Sequence, residues 1–392
     1  MDLAPTAAEQ VFRAGLREWL DTEVSRGMPT GRSGDLATDV EALRGWQQRL
    51  AAGGWVGVTW PVAHGGRGLG AVEHAIVTEE LARAGAPELL GRIGVNLVGP
   101  TLLAHGSPGQ QARWLPRLLD AGEVWCQLFS EPGAGSDLAS LSTRAVRDPD
   151  GNGWRVSGQK VWTSYAQFAE WGLCLARTDP DAGKHRGITM LAVDMHAPGV
   201  LVQPLVQLTG DAEFNEVFLD DVFVADDAVI GVPGSGWRVA SSTLSHERGT
   251  SPRQLVVHTQ LLTDLIELAC AGPAWDDART RQLLASAYVE VRLFQLHSLR
   301  SLSRLAAGAE PGPEGSSLKL WWSEASKRLH RTAMTVLGDA APLWRGAQGN
   351  PGDGRWQRSW LYYQASSIWA GTNEIQRTIL GERVLGLPRE PS

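Results

Sequence analysis

A chain of 392 residues has room for two or three domains of ordinary size, which excludes a short scaffold held by staples alone. With 36 Lys plus Arg against 43 Asp plus Glu the formal net charge is −7, so no surplus of cations is present to neutralise a phosphate backbone, and nucleic acid is not an expected partner. Hydrophobic residues at 43% and charged residues at 20% exclude a disordered chain.

The first third reads as helix. Residues 9–20 place Val11, Leu16, Trp19 and Leu20 at amphipathic spacing, residues 40–50 repeat the pattern, and residues 71–84 resume it. Residues 53–70 are dense in glycine around Trp60-Pro61 and read as loop and turn. From about residue 123 short β-rich runs follow: 124–129, 154–156, 161–163, 188–193, 201–208 and 217–224. The Asp-Gly and Asn-Gly pairs within 148–153 supply the positive φ angles of a hairpin loop. After the turn at 231–236, helical spacing returns over 255–269, 280–305 and 317–337. The expected fold is therefore α+β and multidomain: a helical N-terminal domain over 1–122, an antiparallel β domain over 123–232, and a helical C-terminal domain over 233–392.

Several chemistries are excluded by motif. Gly66-Arg67-Gly68-Leu69-Gly70 misses the third glycine of a dinucleotide fingerprint and lacks βα alternation around it. Gly183-Lys184-His185 is not a phosphate-binding loop, His246-Glu247 has no second His four residues after the first, and no Gly-x-Ser-x-Gly elbow occurs. The histidines are scattered singly and read as surface or core residues. Cys126, Cys174 and Cys270 fit neither a disulfide framework nor a metal knuckle, so no metal is expected and a reducing compartment is. The first twenty positions carry Asp2, Glu9 and Glu18 without a basic start and apolar run, unlike a signal peptide. No stretch approaches the ~18 apolar residues of a membrane span. A soluble, cytoplasmic protein is expected.

Three segments carry positive signals. Ser130-Glu131-Pro132-Gly133-Ala134-Gly135-Ser136-Asp137 is rich in small residues that let backbone N–H groups approach a ligand, although a tight turn has the same composition. Gly158-Gln159-Lys160-Val161-Trp162-Thr163-Ser164 sets a large flat ring beside two hydroxyls on a strand; alone it reads as a buried Trp. Ser367 through Arg377 includes Ala370-Gly371-Thr372-Asn373-Glu374-Ile375-Gln376, a glycine and a capping Thr that could equally open an ordinary helix.

In this order and this α, β, α frame the three segments resemble the acyl-CoA dehydrogenase family of flavoproteins. Gly54-Trp55, Trp60-Pro61, Gly65-Gly66-Arg67-Gly68, Glu79-Glu80-Leu81 and the stretch 381–387 extend the likeness over nearly the whole chain. The resemblance implies a C-terminal four-helix bundle, bound FAD, and a homo-oligomer, dimer or tetramer, whose subunits complete one another's cofactor sites. It further implies that Phe129, Ser130, Gly135 and Ser136 line the flavin and the thioester. Trp162 would lie against the isoalloxazine, with Thr163 and Ser164 bonding its redox-active edge. Gly371, Thr372, Glu374 and Gln376 fall where the family contacts FAD.

The base departs from the best-known pattern. Many relatives carry a glutamate just before the Gly-Thr pair, and here that residue is Ala370. A second branch, with isovaleryl-type and long-chain dehydrogenases, carries the glutamate on the first long helix of the C-terminal domain, followed by Arg; Glu247-Arg248 matches it. Glu247 is thus the expected catalytic base, and Ser136, Ala370 through its backbone N–H, and Arg248 are the expected substrate contacts. Gly249 and Pro252 are expected to kink the chain near the base. The implied reaction is α,β-dehydrogenation of an acyl-CoA or carrier-bound thioester, with electrons passed to an electron-transferring flavoprotein. The alternatives are an oxidase or monooxygenase of the same fold, or a silent subunit of a heteromeric dehydrogenase.

Overall fold

The computed structural model describes residues 5–29, 36–247, 252–309 and 312–389. Five helices come first: α1 (Ala7–Ser25), α2 (Leu36–Ala52), α3 (Ala71–Arg83), α4 (Gly99–His105) and α5 (Pro108–Leu119). The strands are β1 (Trp125–Leu128), β2 (Arg144–Arg147), β3 (Gly153–Ser164), β4 (Trp171–Arg177), β5 (Ile188–Asp194), β6 (Val200–Leu205), β7 (Phe214–Ala225) and β8 (Val229–Ile230). Helices α6 (Gly236–Glu247), α7 (Pro252–Cys270), α8 (Ala278–Ala306), α9 (Gly315–Leu337), α10 (Arg355–Tyr363) and α11 (Asn373–Ile379) complete the chain. None of the described helices is long and apolar enough to cross a membrane.

The chain divides into two compact units, one of Gly15–His74 and Gly85–Glu247, the other of Met1–Ala14, Ala75–Ala84 and Arg248–Ser392. The first unit is built on a sheet of order β6-β7-β3-β2-β4-β5-β8, with β1 added to β4. It is not wholly antiparallel as expected: β1 and β2 each pair with β4 in parallel. Helix α5 starts from a Ser107–Gln110 capping box with Pro108 in its first turn, which satisfies N–H groups the helix leaves open. Its Trp114 meets Trp125 of β1 and Trp171 of β4 at centroid distances of 5.2 and 5.5 Å, tying helix to sheet by edge-to-face contact.

The run 53–70 is a loop with one short 3₁₀ turn over Val62–His64. A Cβ on Gly66 would lie 2.2 Å from the Trp60 carbonyl oxygen, and backbone cannot yield as a side-chain tip would. Gly66→Ala is expected to destabilise by about 2–3 kcal/mol, read as a lower midpoint in thermal unfolding; an unchanged midpoint would contradict the close approach.

In the second unit, Leu262, Leu265 and Ala269 of α7, Leu284, Ala287 and Val291 of α8, Leu329, Ala333 and Leu337 of α9, and Trp356 of α10 share one core. Helices α7, α8 and α9 each supply residues three or four apart, the stripe that buries one face. Helix α8 is started by Asp277, whose carboxylate accepts from the N–H groups of Arg279 and Thr280.

Candidate active site

The sheet unit brings two of the three segments together. Strand β3 does not end at Val156 as the sequence pattern implies; it runs through to Ser164, with register shifts between Val156 and Gly158 and again between Lys160 and Thr163. The second is a bulge, and it re-aims its residues. Trp162 takes a left-handed φ of 60° and is 62% exposed, so it is not a buried core ring. Holding a bulky residue in that backbone region is costly and is found where neighbours enforce it.

Thr163, next in line, is fully buried. Its carbonyl accepts from Asn215 Nδ2 at 3.0 Å, while its hydroxyl has no hydrogen-bond partner among the described residues. A buried orphan hydroxyl costs free energy unless something satisfies it. Ser164 is half-buried beside it.

The 129–136 segment lies against this bulge. The Val161 N–H donates to the Ser130 carbonyl at 2.9 Å, and Lys160 Nζ donates to the Phe129 carbonyl at 3.2 Å. Glu131 and Ala134 exchange both backbone hydrogen bonds, which closes the turn and leaves Gly135 and Ser136 exposed. A Cβ on Gly133 or Gly135 would meet no atom within 4 Å, so neither glycine is needed to avoid the protein itself. Phe129 is buried, and Ser130 is half-buried.

The third segment belongs to the other unit. Ala370 and Gly371 both adopt left-handed φ, 53° and 81°, and Gln376 Nε2 donates to both of their carbonyls, at 3.0 and 3.1 Å. The left-handed φ favours glycine at 371, and a Cβ there would approach that same amide nitrogen to 2.8 Å, so the tip of Gln376 would have to move. Thr372 caps α11, accepting from the Ile375 N–H at 3.3 Å. Glu374 is exposed, and its carboxyl is held below its usual range by its own backbone N–H and the Thr372 hydroxyl. Gln376 is buried, and its Oε1 lacks a partner among the described residues.

Of the remaining expected residues, Glu247 is the last residue of α6, and its side chain lies outside the described residues. Arg248 and Gly249 lie outside them too, and so does the expected kink, while Pro252 opens α7 where a missing N–H does no harm. Glu131 and Lys160 carry no role that the sequence announces, because no periodic signal marks a lysine buried within a strand.

Comparison with known proteins decides the family. Models of the acyl-CoA dehydrogenase N-terminal, middle and C-terminal domains match residues 6–122, 126–222 and 234–385. The chain belongs to the acyl-CoA dehydrogenase family. One relative, acyl-CoA dehydrogenase IpdE1 of Mycobacterium tuberculosis, is 44% identical over 97% of this chain and 98% of its own. Two solved structures cover the whole of both chains: one described as the Tcur3481-Tcur3483 steroid ACAD, with TM-score 0.86 and 29% identity, and the ChsE4-ChsE5 complex from M. tuberculosis, with TM-score 0.85 and 31% identity. Acyl-CoA dehydrogenases are FAD-dependent oxidoreductases, and this enzyme is one. The residues present fit the cofactor: an exposed aromatic face at Trp162, an orphan hydroxyl at Thr163 and an open glycine turn at 133–135.

Proposed function

We propose that this acyl-CoA dehydrogenase converts a bulky, steroid-derived acyl-CoA thioester to its α,β-enoyl thioester and passes its electrons to an electron-transferring flavoprotein. FAD, when bound, supplies the hydride acceptor for the β-hydrogen. The single observation that carries the flavin-site assignment is the β3 bulge, which turns Trp162 outward and strands the Thr163 hydroxyl inside.

Within this reading Trp162, Thr163 and Ser164 hold the ring, Phe129, Ser130, Gly135 and Ser136 line ring and thioester, and Gly371, Thr372, Glu374 and Gln376 hold the rest of the cofactor. Glu247 takes the α-proton. An exposed glutamate has a pKa of about 4.3 and is a weak base; desolvation raises it towards the 6–7 at which proton abstraction is effective. The Ala370 backbone N–H donates to the thioester carbonyl as negative charge develops there, and Arg248 and Ser136 contact the acyl chain and its carrier. The steroid class rests on the similarity to the Tcur3481-Tcur3483 protein.

The test is anaerobic mixing of the yellow protein with straight-chain, branched and steroid-derived acyl-CoA thioesters while oxidised-flavin absorbance is followed. Fastest bleaching by the steroid-derived thioesters is expected. Bleaching by straight chains alone would remove the steroid class, and bleaching by none would favour a second reading. In that reading the chain is one half of a heteromeric dehydrogenase, which Ala370 favours by leaving the usual base position without a carboxylate and which the two-protein neighbours favour by analogy. Bleaching would then require a companion chain.

A further inference from the structure

Beneath the flavin-site loop lies an ion pair that the reaction itself does not use. Lys160 is fully buried and Glu131 is 5% exposed. Lys160 Nζ donates to Glu131 Oε1 at 2.8 Å, to the Leu175 carbonyl at 2.8 Å and to the Phe129 carbonyl at 3.2 Å. These use all three ammonium protons. The carboxylate is equally engaged: Oε2 accepts from the Ser142 N–H at 2.6 Å and the Ser142 hydroxyl at 2.7 Å, and Oε1 accepts also from the Thr143 N–H at 2.9 Å. Burial would raise the Glu131 pKa, but the Lys160 charge and these donors bring it down to about 2, so the carboxylate is ionised at neutral pH.

Such a pair is poor value as a stabiliser, because removing two charges from water costs about what their attraction returns, and apolar side chains of equal volume would hold the fold as well. What it supplies is geometry. Lys160 is the last paired residue before the bulge that carries Trp162, and Glu131 follows directly on the two loop residues whose carbonyls are bonded from β3. The lysine stem comes from β3, its head fixes the loop at Phe129 and Glu131, and the neighbouring Val161 N–H fixes Ser130. Loop and bulge are thereby locked in one register.

We propose that Glu131 and Lys160 are positioning residues for FAD: the ion pair clamps the 129–131 turn onto β3 and so fixes where Trp162 and the Thr163 hydroxyl meet the flavin. This rests on the flavin-site reading above, and it assigns a role to two residues that touch neither cofactor nor substrate in that reading.

The experiment removes both charges together, since removing one would leave the other buried and unpaired. The Glu131→Gln/Lys160→Met double variant keeps side-chain volume. FAD affinity is measured by titrating apoprotein, and the surroundings of the ring are read from the visible circular dichroism of bound flavin. A merely structural strut would lower the unfolding midpoint and leave both readouts unchanged. The clamp predicts FAD affinity weakened tenfold or more and an altered flavin dichroism in a chain with native far-ultraviolet spectrum. A folded double variant with native affinity and dichroism overturns the proposal. Should that variant not fold, Ser142→Ala decides, because it deletes one exposed donor to Glu131 and buries no charge: about threefold weaker FAD binding with altered dichroism is expected, and no change in either overturns the clamp. Wild-type protein that binds no FAD in the same titration would instead sink the flavin-site reading.

Discussion

Replacing Glu247 with Gln is expected to lower the rate of anaerobic flavin bleaching by acyl-CoA roughly 10²–10⁴-fold while leaving FAD content and affinity unchanged. Gln has the shape of Glu but no basic oxygen, so a change in bleaching with bound flavin intact isolates proton abstraction from binding. The helix that carries this position is firmly placed within its own unit. One turn before Glu247, the buried Thr243 hydroxyl lies 2.7 Å from that of buried Thr101 on α4, and each hydroxyl also reaches a carbonyl one turn back in its own helical segment. Thr101 follows a single π-helical turn over Gly94–Val98, a local widening often found near functional sites. If Glu247→Gln bleaches at the native rate, the base lies elsewhere, and the family assignment stands without this mechanism.

How much of this was legible in sequence depends on what each residue's signal records. Periodicity exposed α1, α2, α7, α8 and α9 because each buries one stripe and shows the other face to water. It missed β4, whose middle five residues are all buried and so show no alternation, and whose run, unlike that of the equally buried β5, is broken by the small Gly172, Cys174 and Ala176. It missed β2, where of Arg144-Ala145-Val146-Arg147 only Ala145 is buried. The run at 201–208 ends as strand at Leu205 because Val206 and Leu208 stand exposed beyond the last pairing with β7. Trp162 shows the limit most clearly: composition marks a ring on a strand, but whether it faces inward depends on a one-register slip that no residue type announces. The left-handed Ala370 is hidden for the same reason, since alanine carries no mark of positive φ, and only the Gln376 amide bonded to its carbonyl explains how the conformation is held. The match at Glu247-Arg248 came from family resemblance and not from spacing.

Acidification from about pH 6.5 to about pH 4.5 is expected to remove about 5 kcal/mol from the stability of the C-terminal helices, because two histidines are buried there uncharged. His258 of α7 and His330 of α9, which looked like isolated residues in sequence, face each other with ring centroids 6.4 Å apart. His330 stacks on Tyr363 at 4.6 Å, and His258 meets Phe294, Trp322 and Tyr363 at their edges. Each Nδ1 lies 2.7 Å from a backbone carbonyl four residues earlier, Gln254 for His258 and Ser326 for His330. A carbonyl only accepts, so each Nδ1 carries the proton and each Nε2 presents a lone pair, unpartnered among the described residues. Protonating Nε2 would bury a charge with no acceptor for its N–H among the described residues. Glu290 lines a small cavity with His258, but its carboxylate accepts from Arg328 Nε at 2.6 Å. Burial, reinforced by the His330 charge, pushes the His258 pKa down to about 3, and burial pushes that of His330 down to about 4. Both folded values lie below the 6.5 of the unfolded chain, so the unfolded state takes up protons first as pH falls. Stability is complete above pH 6.5 and is lost towards the folded pKa values, at roughly 1.4 kcal/mol per pH unit for each group. Urea unfolding of the holoenzyme across this range, followed by far-ultraviolet circular dichroism, measures the slope. His258→Leu should keep most of the stability at neutral pH and about halve the slope in acid. An equal slope in wild type and variant would assign the acid loss to carboxylates elsewhere in the chain.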